Sequence, residues 1–229
     1  MSHRFYQPAA LPQSTTLLAG PEAHHLLHVM RAKVGDSVTL FDGQGNEFEA
    51  TIAQLRRSEV ELAVGDRQQV DRELARTIVA GVALPKGDRQ KWLVEKLTEL
   101  GTARLVPLVT ERGTVKLHDR GEEKLERMVV EASKQCGRNV LMQVAPPQSM
   151  DDFLATATGL RLIAHPGGVS LSEVGPPPEA ITFAVGPEGG FTDEEVALAD
   201  RAGWQRIGLG PAILRIETAA LALVARLGQ

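Results

Sequence analysis

The sequence predicts an α/β protein in two parts: a small β-barrel over residues 1–72, then an α/β domain over 73–229 built on a parallel sheet. Three observations carry this. Short strands with tight turns crowd the first part. From residue 77 onward, apolar β-branched runs alternate with helical patterns. Between the two, the polar stretch Asp66-Arg-Gln-Gln-Val-Asp-Arg-Glu73 reads as a linker.

In the first part, Gly20-Pro21 opens a helix over 22–31 with Leu26, Leu27 and Met30 at helical spacing, and Gly35-Asp36 closes that unit. Ser37-Val-Thr-Leu-Phe41 reads as a strand and Asp42-Gly-Gln-Gly45 as a turn. Phe48-Glu-Ala-Thr-Ile52 and Val60-Glu-Leu-Ala-Val64 alternate as half-buried strands do. In the second part, strands are expected over 77–84, 105–109, 160–164, 180–185 and 206–209. Helices are expected over 88–100, 121–136, 151–156 and 217–227. Leu125, Met128, Val129, Ala132 and Cys136 share one face of the 121–136 helix, and Gly137 stops it. The 217–227 helix is apolar nearly all round, so it belongs in a core or against another subunit.

Composition sets limits. Hydrophobic residues make up 43% and charged residues 24% of 229, as in ordinary globular proteins. Aromatics are only 4%, too few for stacking platforms to dominate a surface. A net charge of −4 argues against a chain that coats nucleic acid, though a local basic patch suffices for RNA. Cys136 is the only cysteine, which excludes internal disulfides and fits a reducing, cytoplasmic setting. Residues 1–8 hold no apolar core of a signal peptide, and no apolar run is long enough to span a bilayer.

The stretch that organises the chemistry is Ala180-Ile-Thr-Phe-Ala-Val-Gly-Pro-Glu-Gly-Gly-Phe-Thr-Asp-Glu-Glu195. A buried strand runs into a glycine loop around one acid, then into a helix with Thr192 and Glu195 in capping-box spacing. Two other late strands end in similar punctuation, at Ala164-His-Pro-Gly-Gly168 and Gly208-Leu-Gly-Pro-Ala-Ile-Leu214. In a parallel sheet the carboxyl ends of strands gather at one edge, where ligands bind, so the three loops predict one pocket. No P-loop is present, the third glycine of a dinucleotide fingerprint is missing, and Glu188 would repel a pyrophosphate. A neutral or cationic adenosine-type ligand suits the site better, and S-adenosylmethionine is one. Arg215, beside an apolar helix, requires a partner: Glu217, Glu188 or a nucleic-acid phosphate.

The first part also carries Arg4, Arg31 and Lys33 beside His3, His24, His25 and His28, a candidate RNA surface. His24 and His28 are spaced i, i+4, but no carboxylate or cysteine cluster completes a metal site, so no metal is expected. Lys116, Arg120 and Lys124 alternate with acids and read as a solvated face.

At this point the sequence resembles a known family, the RsmE-type ribosomal RNA methyltransferases of the SPOUT superfamily. The matching stretches are Arg4-Phe5, His28-Val-Met-Arg31, Lys96-Leu-Thr-Glu-Leu-Gly101, Thr110-Glu-Arg112, Glu131-Ala-Ser-Lys-Gln-Cys-Gly-Arg138, Val185-Gly-Pro-Glu-Gly-Gly-Phe-Thr192 and Leu209-Gly-Pro-Ala-Ile-Leu-Arg-Ile-Glu-Thr-Ala219. Ile216 departs from the pattern, where threonine is frequent.

The resemblance implies a PUA-like barrel, a SPOUT-type domain with a C-terminal trefoil knot, and a homodimer. It implies S-adenosylmethionine held by Ala164, His165 and Pro166, by Val185, Gly186, Pro187, Glu188, Gly189 and Gly190, and by Leu209, Gly210, Ile213, Leu214, Arg215 and Thr218. The implied partner is 16S ribosomal RNA of the small subunit, methylated at N3 of one uridine, uracil 1498 in the family. Uracil N3 must lose a proton to become nucleophilic. Glu217 is the candidate acceptor, and Arg215 the candidate for stabilising charge on a uracil oxygen. Arg112 and Arg138 match family positions that would contact RNA.

Three rival readings stay open on sequence: an RNA-binding module without catalysis, a methyltransferase of this fold acting on another RNA or base, and an adenosine-nucleotide enzyme.

Overall fold

The computed structural model describes residues 3–8, 14–115 and 121–229. Lys116 and Arg120, read above as part of a solvated face, lie outside them. Backbone contacts divide the chain into two units, Met1–Glu73 with Ser133–Leu141, and Leu74–Ala132 with Met142–Gln229.

The first unit is a five-stranded sheet in the order β1-β3-β4-β5-β2, formed by β1 (His3–Tyr6), β2 (Thr15–Ala19), β3 (Ser37–Phe41), β4 (Asn46–Leu55) and β5 (Glu59–Gln69). β1 pairs with β3 in parallel and the other pairs are antiparallel. Register shifts between Phe48 and Ala50 and between Ile52 and Gln54 bend the long strands, as bulges do, and the sheet is a half-barrel. Its inward residues, among them Phe5, Leu18, Leu40, Phe48, Ile52 and Leu62, form one core with Ala23 and Leu26.

Two expectations shift here. The linker is shorter than its polarity suggests, because β5 continues to Gln69 by pairing with Asn46 and Glu47. The expected 22–31 helix is instead a short helix α1 (Gly20–His24) followed by a π-helical turn (His25–Val29). In that turn Met30 N donates to His25 O at 3.0 Å, one residue further back than an α-helix allows. Arg31 then takes φ 52°, which ends the helix.

The second unit holds a parallel sheet in the order β12-β10-β11-β6-β7-β8, with β9 also on β7. Its strands are β6 (Thr77–Val82), β7 (Arg104–Val109), β8 (Gln143–Val144), β9 (Gln148–Ser149), β10 (Leu160–Ser170), β11 (Ala180–Val185) and β12 (Gln205–Gly208). The helices are α2 (Asp88–Glu99), α3 (Gly121–Cys136), α4 (Met150–Thr156), α5 (Asp193–Arg201) and α6 (Ile216–Leu227). β11 sits in mid-sheet, so nearly every side chain on it is buried and its sequence is continuously apolar. α6 packs on α2, β11 and β6, while α4 and α5 pack on each other, on β7 and on β12. The apolar character of α6 is thus used within its own unit: Ala220, Leu223, Val224 and Leu227 are buried. No helix among the described residues is long and apolar enough to cross a membrane.

Candidate functional site

Three adjacent parallel strands, β12, β10 and β11, bring the three glycine–proline segments to one sheet edge. The middle loop follows β11. Pro187 is buried, Glu188, Gly189 and Gly190 are exposed, and Gly190 N donates to Pro187 O at 2.8 Å to close a tight turn. Gly190 takes φ 70°, a conformation open to glycine at little cost. The chain then enters α5 through a complete capping box: Glu195 N donates to Thr192 Oγ1 at 3.2 Å, and Thr192 N donates to Glu195 Oε2 at 2.8 Å.

The first segment differs from the simple loop its punctuation suggests. β10 leaves the ladder after Ala164 and rejoins it at Val169, and both residues face Ile207 of β12. His165–Gly168 is therefore a four-residue excursion within a strand. Gly167 N donates to His165 Nδ1 at 3.1 Å. A Cβ on Gly168 would lie 2.4 Å from Ile207 N, so only glycine lets the strands close again. The third segment, after β12, is open: Gly210 and Ile213 are exposed, Ile213 at 90%, while Leu209 and Leu214 are half-buried.

At the start of α6, Glu217 is buried, and its Oε2 makes no hydrogen bond. The nearest cation is Arg89 on the first turn of α2, with Nη1 4.0 Å from that oxygen and Nη2 donating to Glu188 Oε1 at 3.1 Å. Arg89 thus joins an acid of the middle loop to one at the start of α6. Arg215, the expected partner of those acids, is exposed at the N-cap of α6 and forms no ion pair among the described residues. Thr218 is also exposed. Sequence reasoning missed Arg89. The signal was available, because Gly87-Asp-Arg89 follows β6, the parallel neighbour of β11, at the same carboxyl edge.

The basic residues assigned to RNA divide sharply. Arg4 donates to Glu47 Oε2 at 2.9 Å and to Asn139 Oδ1, and lies over the Phe41 ring. Arg138 is 3% exposed and forms a two-point pair with Glu73. Both guanidiniums are engaged inside the first unit. Arg31 and Lys33 are exposed, beside exposed Val29 and Val34. Arg112 is exposed but turned onto the middle loop, where Nη1 donates to Gly189 O at 2.9 Å and Phe191 O at 3.3 Å. The His24 and His28 rings pack at a tilt, with centroids 4.7 Å apart. Among the described residues no three His, Cys, Asp or Glu side chains gather as metal ligands would.

Comparison with known proteins divides the chain between residues 64 and 72. Residues 18–64 match the RNA methyltransferase PUA domain, and residues 72–228 match the RNA methyltransferase domain. The ribosomal RNA small subunit methyltransferase E of Synechocystis is 32% identical over 96% of this chain and 75% of its own. Two solved structures superpose across 99% of this chain and 97% of theirs, each at 32% identity. One is a Legionella pneumophila methyltransferase with the cofactor SAM, at TM-score 0.94. The other is ribosomal RNA small subunit methyltransferase E from Neisseria gonorrhoeae bound to S-adenosyl methionine, at TM-score 0.92. The domain matches, the identity along the chain and the superposition agree, and the chain belongs to the ribosomal RNA small subunit methyltransferase E family of RNA methyltransferases.

Proposed function

We propose that this protein transfers a methyl group from S-adenosylmethionine to N3 of one uridine in 16S ribosomal RNA. The observation that carries the reading is the buried carboxylate of Glu217, with one oxygen free of hydrogen bonds, beside three glycine-rich segments at one parallel-sheet edge. Such an oxygen is left for a donor outside the chain, a water or a bound molecule. Two relatives of the same fold hold S-adenosylmethionine, and the donor set here suits it: open backbone at residues 186–190 and 209–214, and acids rather than a phosphate cradle.

When bound, S-adenosylmethionine supplies an electrophilic methyl carbon. The chain's own residues supply the rest. Ala164, His165 and Pro166, residues 185–190, and Leu209, Gly210, Ile213, Leu214, Arg215 and Thr218 would hold the methyl donor. Glu217 accepts the proton that uracil N3 gives up, directly or through a water. Arg215, exposed and unpaired among the described residues, stabilises the negative charge that then spreads to a uracil oxygen. Arg89 keeps Glu188 and Glu217 from repelling each other. Arg31 and Lys33 on the first unit contact RNA phosphates.

The reading extends to architecture. After edge strand β12 the chain returns past β10 to place α6 on β11 and β6, which supports a trefoil knot at the C-terminus. The domain limits 1–72 and 73–229, a homodimer and a cytoplasmic setting complete it, the last because the substrate is ribosomal RNA. Light scattering of the purified protein tests the dimer.

The decisive experiment is transfer of labelled methyl to naked 16S RNA and to assembled small subunits, with the product nucleotide mapped by mass spectrometry. Label at N3 of a single uridine is expected. Label on another base, or tight RNA binding with no transfer by protein that retains the donor, would overturn the proposal.

A further inference from the structure

The geometry points to Arg112 as a positioning residue for the methyl-donor loop rather than an RNA contact; this inference rests on the reading of that loop as the donor site. Arg112 belongs to the turn after β7, which is closed by Gly113 N donating to Thr110 O at 3.0 Å. Three hydrogen bonds dock this turn on the loop after β11 and the first turn of α5. Arg112 Nη1 reaches the carbonyls of Gly189 and Phe191, and Glu111 N donates to Glu195 Oε1 at 2.9 Å.

The carbonyls that Arg112 holds matter because a peptide unit is planar, so a fixed C=O also fixes the N–H across the bond. Holding Gly189 O sets the plane that carries the Gly190 N–H, whose acceptor is Pro187 O. Holding Phe191 O sets the plane that carries the Thr192 N–H, whose acceptor is Glu195 Oε2 at 2.8 Å. Glu195 thus receives one amide from each segment, and Arg112 closes the circuit from the other side. The paired glycines 189 and 190 are the most permissive backbone in the loop. Without the clamp they sample many conformations, and donor binding must then order them.

This role separates from RNA binding by experiment, using the full chain. Affinity for S-adenosylmethionine is measured by calorimetry, and affinity for a 16S RNA fragment is measured in parallel. Arg112→Ala is expected to weaken donor binding by about tenfold, the scale of one net charge-assisted hydrogen bond, while RNA affinity stays within about twofold. Arg112→Lys, which keeps one donor nitrogen at the end of the side chain, recovers most of the loss.

Glu195→Gln, which loosens the same docking from the opposite side, weakens donor binding too. Its effect is less than additive with Arg112→Ala, as expected for groups that act on one loop. Glu195→Gln carries the test if Arg112→Ala does not fold. Unchanged donor affinity in Arg112→Ala, or in Glu195→Gln, overturns the inference, and so does a fall in RNA affinity alone, which would make Arg112 an RNA contact. Failure of the unaltered protein to bind S-adenosylmethionine would instead strike the donor-site reading itself.

Discussion

Arg89 lies 4.0 Å from the buried oxygen of Glu217 that no hydrogen bond satisfies. A buried carboxylate is tolerated when a cation accompanies it, and removing the cation leaves the penalty uncompensated. Arg89 is 38% exposed, which screens part of the interaction. Arg89→Gln is therefore expected to cost about 1–2 kcal/mol in denaturant unfolding. In a Glu217→Gln background the same change costs less than half as much, because no buried charge is stranded. Equal costs in both backgrounds would show that Arg89 does not act through Glu217.

Arg215 presents the opposite case. It is exposed and makes no ion pair among the described residues, so Arg215→Ala leaves the melting temperature within about 2 °C, as surface substitutions usually do. Methyl transfer at saturating RNA falls by about a hundredfold, the scale of losing one transition-state donor. A change in KM with turnover intact would make it a binding residue only.

Glu47 gives a pH prediction. Burial pushes its carboxyl up, but hydrogen bonds from Arg72, Arg4 and Asn139, and the charge of Arg72, outweigh this and hold the pKa at about 2. Its folded pKa lies below the value of 4.5 it takes without partners. Its contribution to stability is thus complete above pH 4.5 and lost as pH falls through about 2. Stability of the unaltered protein should drop more steeply across that window than that of Glu47→Gln, as followed by circular dichroism.

Arg31 and Lys33 should weaken RNA binding alike for all sequences when neutralised, and each should reduce the salt slope of log K by about 1. Arg31 has φ 52°, so Arg31→Gly removes the charge without the strain an alanine would carry. Binding titrations over a range of salt measure the slope, and an unchanged slope would remove both residues from the interface.

Much of this site was legible because it rests on local chemistry. The Thr192–Glu195 capping box, the β11 strand and the stop of α3 at Cys136 each follow from a few neighbouring residues, and all stand where the sequence puts them. What escaped depends on partners far along the chain. Arg89 meets Glu188 and Glu217, which lie about 100 and 130 residues away in sequence, and no local pattern announces that meeting. Arg4 is read as an RNA contact by its charge and Arg138 by its match to the family, and only the fold brings Glu47, Asn139 and Glu73 to them. The π-helical turn was hidden for another reason: Ala23 and Leu26 keep helical spacing whichever way the carbonyls bond.

The excursion in β10 has a consequence for how the site can vary. Ala164 and Val169 both sit against Ile207, so His165–Gly168 leaves and returns to a single point on β12. A segment anchored like a staple, with both feet in one place, cannot swing as a flap. Its length sets its height above the sheet, and an inserted or deleted residue there would change the floor of the site rather than a movable roof. Adaptation to other guests would fall to the segment after β12, whose far end is anchored in a different element.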